Sequence, residues 1–136
     1  MISQTITTSF KQNIFQGVQN LSTNTIYMAL YTGSADLGAD TTVYTTLAEV
    51  VGTGYVAGGK PCQNITINTS GTVVYVSFNN VVWTGAAFTC RGALIYNQSQ
   101  GNKSIAVLNF GADKTATSSF TVTLPANSAD SALIRV

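Results

Sequence analysis

The first part of the chain has a helical pattern of hydrophobic positions. Apolar residues recur at three- and four-residue spacing between residue 4 and about residue 21. They are Ile6, Phe10, Ile14, Val18 and Leu21. Lys11 and several glutamines occupy the other side of the same helical wheel, as in an amphipathic helix. Thr8 or Ser9 would cap a shorter helix that begins near Phe10. We therefore predict an N-terminal helical arm within residues 1–24.

From residue 25 onwards the hydrophobic period changes from about 3.6 to 2, which is the period of β-strands. The predicted strands cover residues 25–31, 64–68, 72–78, 88–96, 103–110, 119–124 and 132–136. Residues 68–71 carry a hairpin signal, and Val81 to Trp83 would extend the second arm of that hairpin. Turn signals recur about every ten residues, which favours an antiparallel sandwich or barrel. We predict one domain over residues 25–136, a mainly β, jelly-roll-like antiparallel β-sandwich.

Residues 32–61 show no clear period and hold six of the twelve glycines. A segment of this length without regular structure is unusual in a compact domain and is often functional. We predict a long Gly-rich loop with one short strand near residues 49–51 and with contacts to a partner. Residues 54–60 match the spacing of a phosphate-binding loop, but Pro61 and Cys62 follow where that loop needs a hydroxyl and a helix. A flexible loop is therefore favoured over a nucleotide site.

The chain is poor in groups that do acid–base chemistry. It has no histidine, only five acids, and a charged share of 8%. Most catalytic sites need a group that titrates near neutral pH, so we predict a protein that is not an enzyme and has no cofactor. A net charge of +1 gives no attraction to nucleic acid or to an anionic membrane. The N-terminus lacks a basic region followed by an apolar run, so we expect folding in a cytosol.

A few isolated polar residues allow more than one interpretation. Cys62 and Cys90 are predicted to be reduced and buried, with a disulfide between them as the alternative. Asp36, Asp40 and Glu49 are predicted to be solvated loop acids, with Ca²⁺ binding as the alternative.

Three further charged residues lie later in the chain. Arg91 is predicted to pair with Glu49 or an interface carbonyl, or to reach solvent from an edge strand. Asp113 and Lys114 are predicted to lie in a turn before Phe120, where an ion pair would contribute little.

Taken in order, several short motifs resemble a family of small structural proteins encoded by tailed bacteriophages. The motifs are Ser9-Phe10-Lys11, Ile26-Tyr-Met-Ala-Leu-Tyr-Thr32, Thr41-Thr42-x-Tyr44, Glu49-Val50-x-Gly52-Thr-Gly-Tyr55, Gly58-Gly59-Lys60, Val82-Trp83, Arg91-Gly-Ala-Leu-Ile-Tyr96, Val107-Leu-Asn-Phe-Gly111 and Asp113-Lys114. They cover almost the whole chain and are architectural, not catalytic. The resemblance implies a virion component that is assembled in the host cytoplasm, and capsid decoration (cement) is the role that we favour.

That role implies specific partners and surfaces. The expected partners are the major capsid protein and further copies of the chain in a dimer or trimer. The candidate interface residues are Phe10, Lys11, Ile14, Tyr55, Lys60 and Arg91. A tail, neck or fibre component is one alternative role, and a glycan-binding β-sandwich module is another.

Overall fold

The computed structural model describes residues 1–136. The fold is mainly β and sandwich-like, with antiparallel sheets and one short helix, as predicted. Its elements are β1 (Thr5–Ile6), α1 (Thr8–Phe15), β2 (Ile26–Tyr31), β3 (Lys60–Pro61), β4 (Thr66–Ser70), β5 (Val73–Ser77), β6 (Val81–Thr84), β7 (Phe88–Asn97), a 3₁₀ turn (Gln98–Gln100), β8 (Lys103–Ala116), β9 (Ser119–Val122) and β10 (Ile134–Arg135). No helix in this structure has the length and apolar character that a membrane span requires.

The strands form three antiparallel sheets. The central sheet has the order β1-β8-β7-β2-β3, the second sheet has the order β10-β5-β4, and β6 pairs with β9 in the third. The longest run of pairing joins β7 to β8, which are connected through the 3₁₀ turn. The second sheet contributes Ile134, and the third contributes Val81 and Trp83, to the same core as the central sheet.

The central sheet is buried on both of its faces. Met28 and Leu30 of β2 lie in the main core, whereas Ala29 and Tyr31 lie in a smaller core on the opposite face. The smaller core is covered by the long loop, residues 32–59, which contributes Ala35 and Leu37 among others. Strands buried on both faces become almost continuously apolar, which explains why the sequence of β2 does not alternate.

The helix is shorter than its pattern predicts. It covers Thr8–Phe15, because Thr5 and Ile6 pair with β8 and Gly17 (φ +70°) follows the C-cap residue Gln16. The N-cap is Thr7, not Thr8 or Ser9, and its Oγ1 accepts a hydrogen bond from the Phe10 N–H at 3.3 Å. Residues 1–24 lie against the central sheet, with Ile2, Phe10 and Leu21 buried.

Three further features differ from the sequence prediction. The β4–β5 hairpin exists, but its turn is formed by Gly71 and Thr72, beyond the closing pair Ser70 and Val73. β6 does not extend β5; it pairs with β9 in a separate sheet. No strand forms at residues 49–51, where Glu49 makes only an isolated bridge to Tyr31.

A bulge at Arg91 keeps the two halves of β7 on the same core. Cys90 pairs with Lys114 and Gly92 pairs with Asn109, so Arg91 faces residues 110–113 of β8. Phe88 and Cys90 before the bulge and Ala93 and Ile95 after it all lie in the main core. A strict period of two would place these pairs on opposite faces. The irregular pairing, with Arg91 alone opposite four residues of β8, removes that conflict.

The long loop returns to the central sheet at Gly59. A substitution at this position measures how tightly the loop packs against the sheet. Gly59 has φ +81°, and a Cβ there would overlap the carbonyl oxygen of Met28. Gly59→Ala should therefore lower the free energy of unfolding by about 2–5 kcal/mol, through strain and backbone overlap. Urea unfolding followed by circular dichroism measures this loss.

Gly71→Ala is the matched control. Gly71 also has a positive φ (+60°), but no atom lies within 4 Å of the position that a Cβ would take. The control should lose only about 1 kcal/mol, from backbone strain. Equal losses in the two variants would contradict the close packing of Gly59 on β2.

Candidate interaction surface

An apolar cleft separates α1 from the three-stranded sheet, and we call it the α1 cleft. Its volume is about 330 Å³. It is lined by Ile6, Phe10, Lys11, Ile14, Gly17, Gln19, Asn20, Leu21, Ile67, Val74, Val76, Ile134, Arg135 and Val136. Phe10, Leu21 and Ile134 are buried, whereas Ile67 and Val136 are 52% and 73% exposed. The cleft therefore continues the main core out to the surface and leaves apolar side chains in contact with water.

The register of the hairpin explains why one face of this sheet is apolar. Ile67 is opposite Val76, Thr69 is opposite Val74, and Ile134 is opposite Val76 on the other side. Directly opposed residues of an antiparallel pair point to the same face, so these apolar side chains share the face that lines the cleft.

The opposite face of the same sheet is polar. Thr66, Asn68 and Ser77 form a hydrogen-bonded cluster there, with Thr66 Oγ1 and Ser77 Oγ 2.6 Å apart. Asn68 Nδ2 donates to Ser77 Oγ at 3.0 Å. The polar side chains of the hairpin therefore satisfy one another and leave the apolar face unpartnered.

The charges around the α1 cleft have one sign. Lys11 and Arg135 are among its lining residues, and none of the lining residues is Asp or Glu. The register places Arg135 opposite Tyr75, so its side chain starts on the other face of the sheet. Arg135 donates to the Ala132 carbonyl at 2.6 Å through Nη1, which holds its guanidinium in place. An apolar cleft with the cationic side chain of Lys11 at its border suits an apolar ligand that carries a carboxylate.

The structure brings three of the six predicted interface residues to the α1 cleft. Phe10 is buried in its floor, and Lys11 and Ile14 also line it. Tyr55, Lys60 and Arg91 lie outside the cleft. Lys60 Nζ donates to the Val82 carbonyl at 2.8 Å, and β3 follows the glycine loop instead of a helix.

Arg91 has a different partner from the predicted ones. It lies in β7, an interior strand between β8 and β2, so it is not an edge-strand residue. Its Nη1 lies 3.3 Å from Asp113 Oδ1, and its Nη2 donates to the Gly111 carbonyl at 3.4 Å. Asp113 lies within β8 and not in the predicted turn. Both side chains are substantially exposed, so the pair contributes little stability.

Glu49 corrects another prediction, because it is buried and not solvated. Its carboxylate accepts hydrogen bonds from the hydroxyls of Tyr44 and Tyr55, at 2.6 and 2.5 Å, and from the Gly58 N–H at 2.8 Å. Asp36 and Asp40 are exposed. No group of three or more His, Cys, Asp or Glu side chains could hold a metal ion, so the Ca²⁺ alternative for these three acids is wrong.

The Glu49 network fastens the long loop to the central sheet. The Tyr55 hydroxyl also accepts from the Leu30 N–H of β2 at 2.9 Å, and Tyr96 of β7 donates to the Gly58 carbonyl at 2.6 Å. The loop nevertheless turns Leu47, Val51 and Val56 outwards, each at least 76% exposed. It therefore presents apolar side chains from a fixed backbone. The only sequence signal for this network is one acid set among tyrosines.

The buried hydroxyls and thiols are held in their neutral forms. Burial, together with the nearby Glu49 carboxylate, raises the pKa of Tyr31, Tyr44 and Tyr55 above its ordinary value. The same two causes raise the pKa of Tyr96 to about 12. Burial also raises the pKa of the Cys62 and Cys90 thiols to about 12. Both cysteines are free and buried, as predicted, and thiols in this state are poor nucleophiles.

Comparison with known proteins identifies no relative of this chain: no protein-family model, no curated protein and no solved structure matches it.

Loss of the Glu49 carboxylate should weaken the whole fold. Glu49→Ala leaves two tyrosine hydroxyls and the Gly58 N–H without their acceptor, so the free energy of unfolding should fall by about 3 kcal/mol. Chemical denaturation measures this change. Asp36→Ala is the matched control, because Asp36 is exposed, and it should change stability by less than about 0.5 kcal/mol. Equal effects would show that Glu49 does not anchor the loop.

Stability should also fall at alkaline pH. Unfolded tyrosine and cysteine lose their protons near pH 10.0 and 9.0, whereas folded Tyr96, Cys62 and Cys90 keep theirs to about pH 12. Because the unfolded chain then binds fewer protons, the free energy of unfolding decreases as pH rises from about 9 to 12. Tyr96→Phe should make this decrease shallower above pH 10. Curves of equal slope for parent and variant would refute the shift at Tyr96.

Proposed function

We propose that this chain is a non-enzymatic structural protein of a tailed-bacteriophage virion, which binds the capsid shell as a decoration (cement) protein. The motifs between Ser9 and Lys114 resemble, in their order, those of small structural proteins of tailed bacteriophages, and this resemblance supports a role in the virion. The observation that carries the proposal is the α1 cleft, an apolar surface that no other part of the chain covers. Exposed apolar side chains that line a cleft are typical of an interaction site.

The cleft suits an apolar segment of the major capsid protein with a carboxylate near its end. Apolar side chains of that segment would cover Ile67, Val74 and Val136, at about 1 kcal/mol for each partly exposed residue. The carboxylate would meet Lys11. Single contacts of this size are weak, but a shell offers many equivalent positions and repeated engagement raises the effective affinity.

The remaining surface supports the same role through its lack of charge. The chain has a net charge of +1 and its polarity comes mainly from Thr, Ser and Asn. Its two ion pairs, Arg91 with Asp113 and Asp36 with the N-terminus, are exposed. Adhesion through apolar contacts and neutral hydrogen bonds depends little on ionic strength, whereas binding through many ion pairs weakens steeply with salt.

The amount of this chain in purified particles tests the role. Quantitative mass spectrometry should find hundreds of copies per particle if the chain decorates the shell. A few copies would instead indicate a tail, neck or fibre component, and absence from the particle would contradict both structural roles.

A matched pair of valine substitutions tests the α1 cleft itself. Val74→Asp places a carboxylate at the cleft, so it should repel the acidic segment and weaken binding to shells that lack this chain by at least about tenfold. Val82→Asp is the control, because Val82 is also a strand residue of similar exposure, 43% against 37% for Val74, and lies outside the cleft. Co-sedimentation with shells measures both variants. Equal binding of the two would show that the cleft is not the contact.

A further inference from the structure

β4 is the longest unprotected sheet edge in the two larger sheets. The other strands that end these sheets, β1, β3 and β10, have only two residues each, and β3 contains Lys60 and Pro61. β4 has five residues and a single neighbour, β5. Proteins usually protect edge strands by shortness, charge or proline, because exposed N–H and C=O groups recruit further strands. β4 has none of these protections.

The absence of charge extends well beyond β4. No Asp, Glu, Lys or Arg occurs between Lys60 and Arg91. Within β4, the side chains of Thr66, Ile67, Thr69 and Ser70 are exposed. A second copy of the same surface would therefore meet no like charge, and its strand would meet an accessible edge.

The hairpin geometry shows which backbone groups are available. Gly71 and Thr72 form a two-residue turn, so the closing residues Ser70 and Val73 bond to each other. The backbone N–H and C=O groups of successive residues point to alternate sides of a strand. Asn68 and Thr66, like Ser70, therefore turn these groups towards β5. Ile67 and Thr69 then turn theirs away from β5, at the open edge.

We propose that β4 pairs antiparallel with β4 of a second copy, across a two-fold axis at Asn68. In this register Ile67 is opposite Thr69 of the second copy, so the outward N–H and C=O groups of both residues find partners. Thr66 is opposite Ser70, and the whole of β4 is used. A two-fold interface brings the same surface of each copy together, and an uncharged antiparallel edge satisfies that condition.

The pairing has a consequence for the α1 cleft. A two-fold axis perpendicular to the joined sheet keeps the same face of both copies on the same side. The two clefts, one beside each Ile67, therefore open on one side of the dimer, and the dimer can bind two sites of a surface. The pairing itself does not depend on the proposed virion role. Because a single strand buries little area, the dimer forms in a concentration-dependent manner.

A disulfide trap tests the register. Asn68 faces its own counterpart in a non-hydrogen-bonded pair, with Cα atoms about 4.5 Å apart, which lies within the range of a disulfide. In a glutathione redox buffer, Asn68→Cys should form a covalent dimer at least tenfold faster than Thr72→Cys, although Thr72 lies in the turn and is more exposed than Asn68. Cys62 and Cys90 are buried and should remain reduced in both.

A charge at the edge and one measurement on the parent chain complete the test. Ile67→Lys, added to Asn68→Cys, should slow cross-linking at least tenfold, because both copies then carry a cation at the pairing edge. In the unaltered chain, hydrogen exchange at the Ile67 and Thr69 amides should slow as protein concentration rises. Equal cross-linking of the Asn68 and Thr72 variants, or exchange that is independent of concentration, would overturn the proposal. If β4 pairs instead with a strand of another protein, hydrogen exchange at Ile67 and Thr69 in the purified chain should not depend on its concentration.

Discussion

The structure depends on covering both faces of the central sheet with one short chain. The main core takes one face, and the long loop must cover the other without a strand of its own. The buried Glu49 carboxylate makes this possible, because it gathers Tyr44, Tyr55 and the Gly58 N–H around one charge. Breaking a buried network of this kind exposes uncompensated polar groups, which costs far more than losing a surface contact. The loop is therefore a structural layer with a fixed position.

Most of the apolar side chains cover the central sheet, and the three-stranded sheet is covered incompletely. α1 covers only part of the three-stranded sheet, and the remainder is the α1 cleft with Ile67 and Val74 at its border. β4, in the same sheet, keeps an open edge. The cleft and the open edge both belong to the three-stranded sheet, but they need different partners. The cleft needs a surface of apolar side chains, and the edge needs a strand. The structural role that we propose would use both kinds of contact.

The sequence predicts the fold class and most strands because period-two alternation holds wherever one face is polar, as in β4 and β9. It fails where tertiary contacts override the local pattern. Thr5 and Ile6 fit a helical wheel but pair with β8, and Val81 fits the end of the hairpin but belongs to another sheet. The burial of Glu49 depends on tyrosines that only the folded loop brings together, so no spacing rule indicates it. Phe10 and Ile14 were identifiable as one face of α1, whereas Ile67 and Val74 required the hairpin register.

We propose that the α1 cleft is the surface by which this chain holds a protein shell. A cryo-electron microscopy map of the intact particle at side-chain resolution tests it most directly. We expect density for the chain on the outer shell, with Ile14, Ile67 and Val74 against an apolar segment of the capsid protein and a carboxylate near Lys11. A map that places the chain on the shell with the cleft open to solvent would contradict the claim.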